Sequence, residues 1–222
     1  MIKAILVSLW VTWGLIDEQT IQLQTTRPII TGTIVGLIMG DLKTGLIVGA
    51  TVEMMFLAVV FVGTAVPPDP TMSAAIATAF AIYAGGKTEL AIASAIPIAL
   101  IGQVITTLQY SFVNVSIMHI GEKYANKGDS KSIFLANLSA LLMNFIFYGI
   151  PTFLAVYYGA EYVMPLIDLI PEKLINGFAV GGGMIGAVGF ALLLSTLQFK
   201  KLWPYFIIGF ISTSYLGLNN LG

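Results

Sequence analysis

The sequence predicts an all-α fold, a polytopic helical membrane protein with a single transmembrane domain over residues 1–222. Of the 222 residues, 57% are hydrophobic and only 9% are charged, and the mean hydropathy is +0.92. Soluble domains carry about 25% charged residues, so this chain cannot cover a water-facing surface. In lipid only helices and closed barrels satisfy their own backbone hydrogen bonds, and the sequence lacks the alternating pattern of barrel strands.

Eight apolar segments follow one another, at residues 4–16, 28–40, 45–66, 71–86, 90–119, 133–160, 174–199 and 202–221. We interpret the first as a retained helix, because no small-residue cleavage pattern follows it. Three of the first four segments are too short to cross about 30 Å of hydrocarbon as straight helices. Short segments interrupted by glycine or proline are typical of re-entrant or broken helices, which line substrate sites in transporters. We therefore expect the functional core in the N-terminal half and additional spans over residues 133–222.

Lysines orient the later segments. They cluster in loop 122–132 and again after segment 174–199, at Lys123, Lys127, Lys131, Lys200 and Lys201. Two spans separate the clusters, so both lie on the same side of the membrane. The positive-inside rule predicts that loops 122–132 and 200–201 are cytoplasmic.

Composition excludes several classes of function. A net charge of −1 leaves no electrostatic footprint for nucleic acid. The chain has no cysteine and one histidine, His119, so thiolate and histidine-rich metal sites are excluded, and we expect no cofactor. His119 ends an apolar run beside the lysine loop, where a proton-carrying role and a plain interfacial position both fit.

Glu53 carries the strongest functional signal. It lies inside an apolar segment, and ionisable groups at membrane depth are costly and usually functional. Glycines recur at helical spacing on this segment and the one before it, at Gly32, Gly36, Gly40, Gly45 and Gly49. Such stripes allow close approach of two backbones. A carboxylate above a glycine stripe could accept hydrogen bonds from a polar ligand, and the alternative is a protonated glutamate that holds two helices together.

The sequence Pro67-Pro68-Asp69-Pro70 separates two apolar segments. Proline cannot continue a helix and pushes the preceding residue to extended geometry, so we expect Asp69 on non-helical backbone. At membrane depth such backbone persists only when it is buried in protein or lines a cavity. Asp69 would then be able to bind a ligand hydroxyl, and the alternative is a surface turn, where Asp-Pro is common.

Two glycine-rich stretches resemble nucleotide-binding loops and lack an essential part. Gly40-Asp41-Leu42-Lys43-Thr44-Gly45 has leucine at position 46, where a phosphate loop needs lysine, so we interpret it as a tight connection. The G-x-G-x-x-G spacing at 181–186 follows no strand and precedes no acidic residue, which favours close packing or a helix break. Asn176 fits either a helix cap or a ligand contact.

Asp17, Glu18, Arg27 and Gln103 carry weaker signals. The two acids lie between short apolar segments, where Arg27 would neutralise one of them.

Several motifs occur in a fixed order: Arg27-Pro28-Ile29-Ile30, Gly40-Asp41-Leu42-Lys43-Thr44-Gly45, Gly49-Ala50-Thr51-Val52-Glu53-Met54, Pro68-Asp69, Ile170-Pro171-Glu172, Asn176-Gly177 and Gly181-Gly182-Gly183-Met184. Together they resemble enzyme IIC of the mannose–fructose–sorbose class of bacterial phosphotransferase systems. The resemblance covers most of the chain. Its ordered block from Arg27 to Asp69 is far more specific than any single glycine motif.

The resemblance implies a sugar-translocating permease subunit of the bacterial cytoplasmic membrane that is not itself an enzyme. Such subunits work with the membrane subunit enzyme IID and assemble as oligomers of IIC–IID pairs. The sugar is phosphorylated by enzyme IIB, whose phosphohistidine receives phosphate from phosphoenolpyruvate through the general proteins and enzyme IIA. Family members move a sugar-holding core relative to a scaffold.

The resemblance also implies a sugar-binding core within residues 27–86. We expect substrate contacts at Glu53, Asp69, Asn176 and Thr51. Core or hinge positions are expected at Asp41, Lys43, Gly45, Gly49, Pro67, Pro68 and Gly182. Family members usually run longer and end in another helix and a polar tail, so we expect a truncated C-terminus.

The sugar is expected to be a hexose or an amino sugar. Mannose-type members have asparagine where this chain has Phe61. The double proline at Pro67 and Pro68 is more similar to the N-acetylgalactosamine or galactosamine branch.

Two other functions stay open from the residues alone. A stand-alone ion-coupled sugar transporter or channel would need several carboxylates at membrane depth, and only Glu53 is clearly of that kind. An intramembrane enzyme would need a nucleophile–base pair or metal ligands, and only Asp41, Glu53 and Asp69 could supply its chemistry. Uptake without phosphoenolpyruvate would favour the former, and turnover by the purified chain the latter.

Overall fold

The computed structural model describes residues 1–57, 66–169 and 203–216, and all regular structure in these ranges is helical. The prediction of an all-α fold is therefore confirmed. The α-helices are α1 Ile2–Gln19, α2 Pro28–Met39, α3 Leu42–Met55, α4 Pro70–Tyr83, α5 Thr88–Leu108, α6 Val115–Ala125, α7 Ser130–Asn144, α8 Ile150–Leu169 and α9 Trp203–Leu216. A π-helical turn, π1 Gln109–Asn114, joins α5 to α6, and a second, π2 Phe145–Gly149, joins α7 to α8.

Two stretches in the described part of the chain are helical, long and apolar enough to cross a membrane, Ala91–Ala125 and Ser130–Gly159. They coincide with two predicted spans, 90–119 and 133–160. The turn between them holds Asp129, whose carboxylate accepts hydrogen bonds from the Ser132 hydroxyl at 2.6 Å and the Ser132 amide at 3.2 Å. Both hydrogen bonds lower the pKa of Asp129, and the bond from the hydroxyl has the larger effect.

Charged residues do not end the helices where the sequence analysis expected. Helix α1 has 18 residues, about 27 Å at 1.5 Å per residue, so the prediction of a short first segment at 4–16 is wrong. Helix α8 likewise continues through Glu161 and Asp168, which lie beyond the end of the predicted segment 133–160. The reason is that a helix satisfies its own backbone in water as well as in lipid, so a charge ends an apolar run without ending the helix.

Helices α2 and α4 are short, with 12 and 14 residues, or about 18–21 Å, as predicted. Helix α3 also has 14 residues and is followed by a turn at Phe56 and Leu57, so the prediction of one span over 45–66 is wrong. The sequence after Met55 is rich in aromatic and β-branched residues, which lowers its helix propensity. Phe61 lies outside the described residues.

Glycines set the contact between α2 and α3. A Cβ added to Gly36 would lie 2.8 Å from the Cα of Gly45, and one added to Gly32 would lie 2.6 Å from the Cα of Gly49. These distances are too short for any side chain, so the predicted close approach of the two backbones is confirmed. Gly40 does not belong to the contact, because it ends α2 in the left-handed conformation with φ +93°.

Helix α4 lies at the centre of the core. Every residue from 71 to 79 is buried, and the helix contacts α1, α2, α3, α5 and α8. Alanines make up much of this helix, which lets five neighbouring helices approach it closely. The core therefore fixes the N-terminal end of α4, where Asp69 lies.

Candidate functional site

The ends of several helices enclose a cavity of about 400 Å³. The end of α1, the α1–α2 loop, the end of α3, the segment 66–69 and α5 all contribute to its wall. The residues that line it are Glu18, Gln24, Thr26, Arg27, Pro28, Glu53, Phe56, Leu57, Val66, Pro67, Pro68, Asp69, Pro70, Thr71 and Thr106. Three carboxyl groups and one guanidinium group thus share one wall at the broken-helix end of the core.

Glu53 joins α3 to the start of α2 at this cavity. Its Oε1 accepts a hydrogen bond from Arg27 Nη1 at 3.1 Å, and its Oε2 accepts one from the backbone N–H of Ile29 at 3.3 Å. The Arg27 side chain is 51% exposed and that of Glu53 is 19% exposed. The contact places an acid at the positive end of α2, where negative charge is favoured.

Arg27 was expected to neutralise Asp17 or Glu18, and this expectation is wrong. Asp17 is fully buried and accepts hydrogen bonds from the amides of Leu23 and Thr25 and from the Thr25 hydroxyl, at 2.7–2.9 Å. Because three donors of the α1–α2 loop already satisfy this carboxylate, Arg27 is left for Glu53.

Asp69 precedes α4 on non-helical backbone, as predicted, and the alternative of a surface turn is wrong. Its Oδ1 accepts from the amide of Met72 at 2.8 Å, and its Oδ2 accepts from the Tyr148 hydroxyl at 2.5 Å. The Asp69 amide donates to the Ala99 carbonyl at 3.0 Å, so α5 completes the hydrogen bonds of this segment.

The residues of α5 that support Asp69 are small or polar. A Cβ on Gly102 would lie 2.6 Å from the Cβ of Asp69, so the glycine allows the segment to lie against the helix. Gln103 donates to the Val66 carbonyl at 2.6 Å. Helix α5 thus supplies hydrogen-bond partners at both ends of the segment that contains Pro67 and Pro68, and non-helical backbone at membrane depth needs such partners from protein.

Tyr148 and Thr106 belong to the site, and the sequence analysis missed both. Tyr148 is 1% exposed and Thr106 is 3% exposed. The Thr106 hydroxyl contacts the Tyr148 hydroxyl and also donates to the Gly102 carbonyl at 2.9 Å. The available signal was a hydroxyl inside a long apolar run, but many such hydroxyls bond only to their own helix.

The other predicted site residues have different places. Thr51 is outside the cavity lining and donates to the Ile47 carbonyl of its own helix at 2.8 Å. Asp41 caps α3 by accepting from the amide of Thr44 at 3.0 Å, which agrees with a tight connection between α2 and α3, and Lys43 is exposed beside it. Gly45 and Gly49 lie in the α2–α3 contact. Asn176 and Gly182 lie outside the described residues.

The cavity suits a ligand with several hydroxyl groups. Carboxylates accept hydrogen bonds and a guanidinium group donates them, and both kinds of group line this cavity. Within residues 1–57, 66–169 and 203–216, no group of three or more His, Cys, Asp or Glu side chains is placed to hold a metal ion.

Comparison with known proteins identifies the family. The family described as PTS system sorbose-specific IIC component matches residues 1–222. The sorbose-specific EIIC component of Lacticaseibacillus casei is 35% identical over 221 residues, which cover 99% of this chain and 79% of that protein. The mannose-specific EIIC component of Escherichia coli K12 is 34% identical over 199 residues, 89% of this chain and 74% of that protein.

Solved structures agree. A structure titled only as a membrane protein superposes with a TM-score of 0.90 at 31% identity and covers 100% of this chain and 90% of its own. The cryo-EM structure of the mannose transporter ManYZ in complex with microcin E492 superposes with a TM-score of 0.67, also at 31% identity, covering 99% of this chain and 89% of that one. The chain therefore belongs to the sorbose-specific family of phosphotransferase IIC components, the sugar permease subunits of these systems.

Proposed function

We propose that this permease subunit binds its sugar in the 400 Å³ cavity, with Glu53 and Asp69 as the acceptors for sugar hydroxyls. The observation that carries the proposal is the convergence of Glu18, Arg27, Glu53 and Asp69 on one cavity. Ionisable groups inside a membrane domain are costly and usually mark a functional site. A pocket of this size with a few polar groups in fixed positions is typical of small-molecule sites.

The two acids have different roles in the proposal. Asp69 is held from both oxygens by Met72 and Tyr148, so its remaining lone pairs point in fixed directions. Glu53 is held by the Ile29 amide at 3.3 Å and, at the rim, by a half-exposed arginine. A sugar hydroxyl can therefore replace part of the Arg27 contact, because exposed ion pairs contribute little, about 0–1 kcal/mol.

Thr51 is not part of this proposed site, since its hydroxyl is bonded to its own helix and it does not line the cavity. Asn176 stays a proposed sugar contact.

The sugar we propose is a hexose or an amino sugar. The relatives named for sorbose and for mannose are almost equally similar to this chain, which supports a substrate of that size without selecting one of them. Pro67 and Pro68, which precede Asp69, line the cavity, so their contacts with the sugar affect which sugar binds.

We further propose that the subunit works as one half of a IIC–IID pair, with several pairs forming an oligomer in the bacterial inner membrane. The similarity to a structure of the two-subunit mannose transporter supports a IIC–IID complex. In the proposed orientation, loops 122–132 and 200–201 face the cytoplasm, where enzyme IIB phosphorylates the emerging sugar.

The test is phosphorylation by vesicles that contain this chain and its IID partner. Soluble phosphotransferase proteins are added, and phosphate transfer is measured over a panel of hexoses and amino sugars. We expect one or a few sugars to be phosphorylated, only with phosphoenolpyruvate and only when both membrane subunits are present. Accumulation of free sugar without phosphoenolpyruvate would contradict the proposal and support an ion-coupled transporter.

A further inference from the structure

A second, open cavity of about 340 Å³ shares a wall with the proposed sugar site. Its lining consists of Glu18, Gln19, Gln22, Gln24, Thr26 and Tyr110. Glu18, Gln24 and Thr26 also line the first cavity. The two cavities therefore lie next to each other, separated by these three residues.

The lining of the second cavity suits a neutral polyol. Three of its six residues carry primary amides, each with both donors and an acceptor, and Tyr110 adds an aromatic ring and a hydroxyl. None of the six lining residues is Lys, Arg or His, so the cavity offers no cation to an anion such as a sugar phosphate.

The backbone of this cavity is strained at two glutamines. Gln22 has φ +59° and Gln24 has φ +66°, and they are the only non-glycine residues with positive φ in the described ranges. Glutamine is not among the residues that favour this conformation, whereas glycine adopts it freely. Strained residues that persist cluster at ligand-binding sites, and here both place amide side chains in the cavity wall.

Buried Asp17 holds the loop in this strained form. It accepts hydrogen bonds from the amides of Leu23 and Thr25, and the amide of Gln22 donates to its backbone carbonyl at 2.7 Å. The conformation is therefore imposed by α1, and glycine at position 22 would fold in the same way.

A chain of amides fixes the far wall. Gln19 Nε2 donates to the Tyr110 hydroxyl at 2.9 Å, and Gln19 Oε1 accepts from Asn144 Nδ2 at 2.9 Å. Asn144 Oδ1 accepts in turn from the buried Gln109 at 2.6 Å. Gln22 and Gln24 are held by longer hydrogen bonds at the exposed rim. Gln22 Nε2 donates to the Glu18 carbonyl at 3.4 Å, and Gln24 Oε1 accepts from Arg27 Nε at 3.3 Å.

We propose that the second cavity is a further sugar subsite, a vestibule in which Gln22, Gln24 and Tyr110 hold the neutral sugar next to the site at Glu53 and Asp69. The proposal rests on the proposed function, because it takes the same sugar as its ligand. Its chemistry is hydrogen bonding from the side-chain amides of Gln22 and Gln24 and contact with an aromatic ring, with no covalent step.

The test is equilibrium binding of radiolabelled mannose, sorbose and N-acetylgalactosamine, each in turn, to the purified complex with its IID partner. Gln22→Gly and Tyr110→Ala each remove one group that lines only the second cavity. Leu23→Ala is the matched control, because Leu23 lies in the same loop, is 60% exposed and lines neither cavity. Glu53→Gln reports separately on the first cavity.

For at least one sugar we expect the equilibrium binding curve of wild type to have two phases, one for each cavity. Gln22→Gly and Tyr110→Ala weaken one phase by about fivefold or more, the value of one hydrogen bond, and Leu23→Ala leaves both unchanged. Glu53→Gln weakens the other phase. If Glu53→Gln changes neither phase while Gln22→Gly removes one, the vestibule stands and the site at Glu53 does not.

A single phase in wild type would overturn the vestibule, and so would two phases that survive both Gln22→Gly and Tyr110→Ala. Thermal unfolding of the same variants distinguishes a structural role of Gln22 from a role in sugar binding. Glycine relieves the strain at position 22, so the unfolding midpoint of Gln22→Gly stays equal or rises. A lower midpoint with unchanged binding would assign Gln22 to the loop alone and contradict the proposal.

Discussion

Three acids near the cavity are each satisfied by a different kind of partner. Asp17 takes backbone and hydroxyl donors from a loop, Glu53 takes a half-exposed arginine, and Asp69 takes a buried tyrosine. A buried acid that keeps its donors has one fixed orientation, whereas a rim acid can exchange its partner for a ligand. This difference makes Glu53 and Asp69 suited to distinct parts of sugar binding.

Tyr148→Phe tests the role of the tyrosine as a positioning residue for Asp69. The substitution removes one hydrogen bond that orients Asp69, worth about 0.5–1.5 kcal/mol of free energy. We therefore expect KM for the sugar to rise about two- to tenfold. The maximal rate should stay within a factor of about two, because phosphoryl transfer takes place on enzyme IIB. Steady-state phosphorylation with both membrane subunits measures the two parameters.

The matched control for that variant is Tyr83→Phe. Tyr83 is half-buried in α4, and its hydroxyl has no hydrogen-bond partner among the described residues. Equal effects of the two substitutions, or a fall in rate with no change of KM, would remove Tyr148 from the site.

The acids could be predicted from sequence and their partners could not. A carboxylate in an apolar run stands out, so Glu53 and Asp69 were found. Arg27 and Glu53 are 26 positions apart, and Asp69 and Tyr148 are 79 apart, so their pairing depends on how the helices pack. Tyr148 and Thr106 had no signal of their own, because an apolar helix can hold a hydroxyl for purely local reasons.

At the scale of elements, the glycine contact between α2 and α3 determines where Glu53 lies. Gly36→Ala would bring its Cβ to 2.8 Å from the Cα of Gly45, and the backbones must separate. Overpacking of this kind costs about 1–3 kcal/mol, and it also moves Glu53 away from Ile29. We expect a lower unfolding midpoint and weaker sugar binding, measured by thermal unfolding and by sugar titration.

Gly121→Ala is the control for that prediction. Gly121 lies in α6, and an added Cβ there meets nothing within 4 Å. Alanine is favoured over glycine in a helix by about 0.5–1 kcal/mol, so this variant should be equally or more stable and should bind sugar normally. If Gly36→Ala behaves in the same way, the α2–α3 contact does not hold the site.

Helical spacing of glycines predicted this contact, while the helix ends were predicted less well. Gly32 and Gly36 in α2 are four residues apart, as are Gly45 and Gly49 in α3, which places each pair on one face of its helix. Apolar runs, by contrast, mark the part of a helix in lipid. Predictions from apolar runs therefore made α1 and α8 too short, because the backbone of both helices continues past their charged residues.

At the scale of the whole molecule, the site is formed by helix ends and the non-helical segments between them, and it is supported by the long helices. The cavity wall comes mainly from residues 18–71, and α5 adds Thr106 to it. Tyr148 lies behind the wall and contacts Thr106 and Asp69. The ordered motifs of the sequence were sufficient for the family. Shared motifs identify residues that recur in the family. Only the packing of the helices shows that Arg27, Glu53 and Asp69 meet at one cavity.

The most direct test is titration of the IIC–IID complex with the sugar that it phosphorylates, comparing wild type, Glu53→Gln and Thr51→Val. Glutamine keeps the size of Glu53 and removes a charged acceptor, worth about 1.5–3 kcal/mol. We therefore predict a Kd about 10- to 100-fold higher. Thr51 lies two residues away on the same helix and outside the cavity, so Thr51→Val should bind like wild type. An unchanged Kd in Glu53→Gln, or an equal loss in both variants, would contradict the assignment of this cavity as the sugar site.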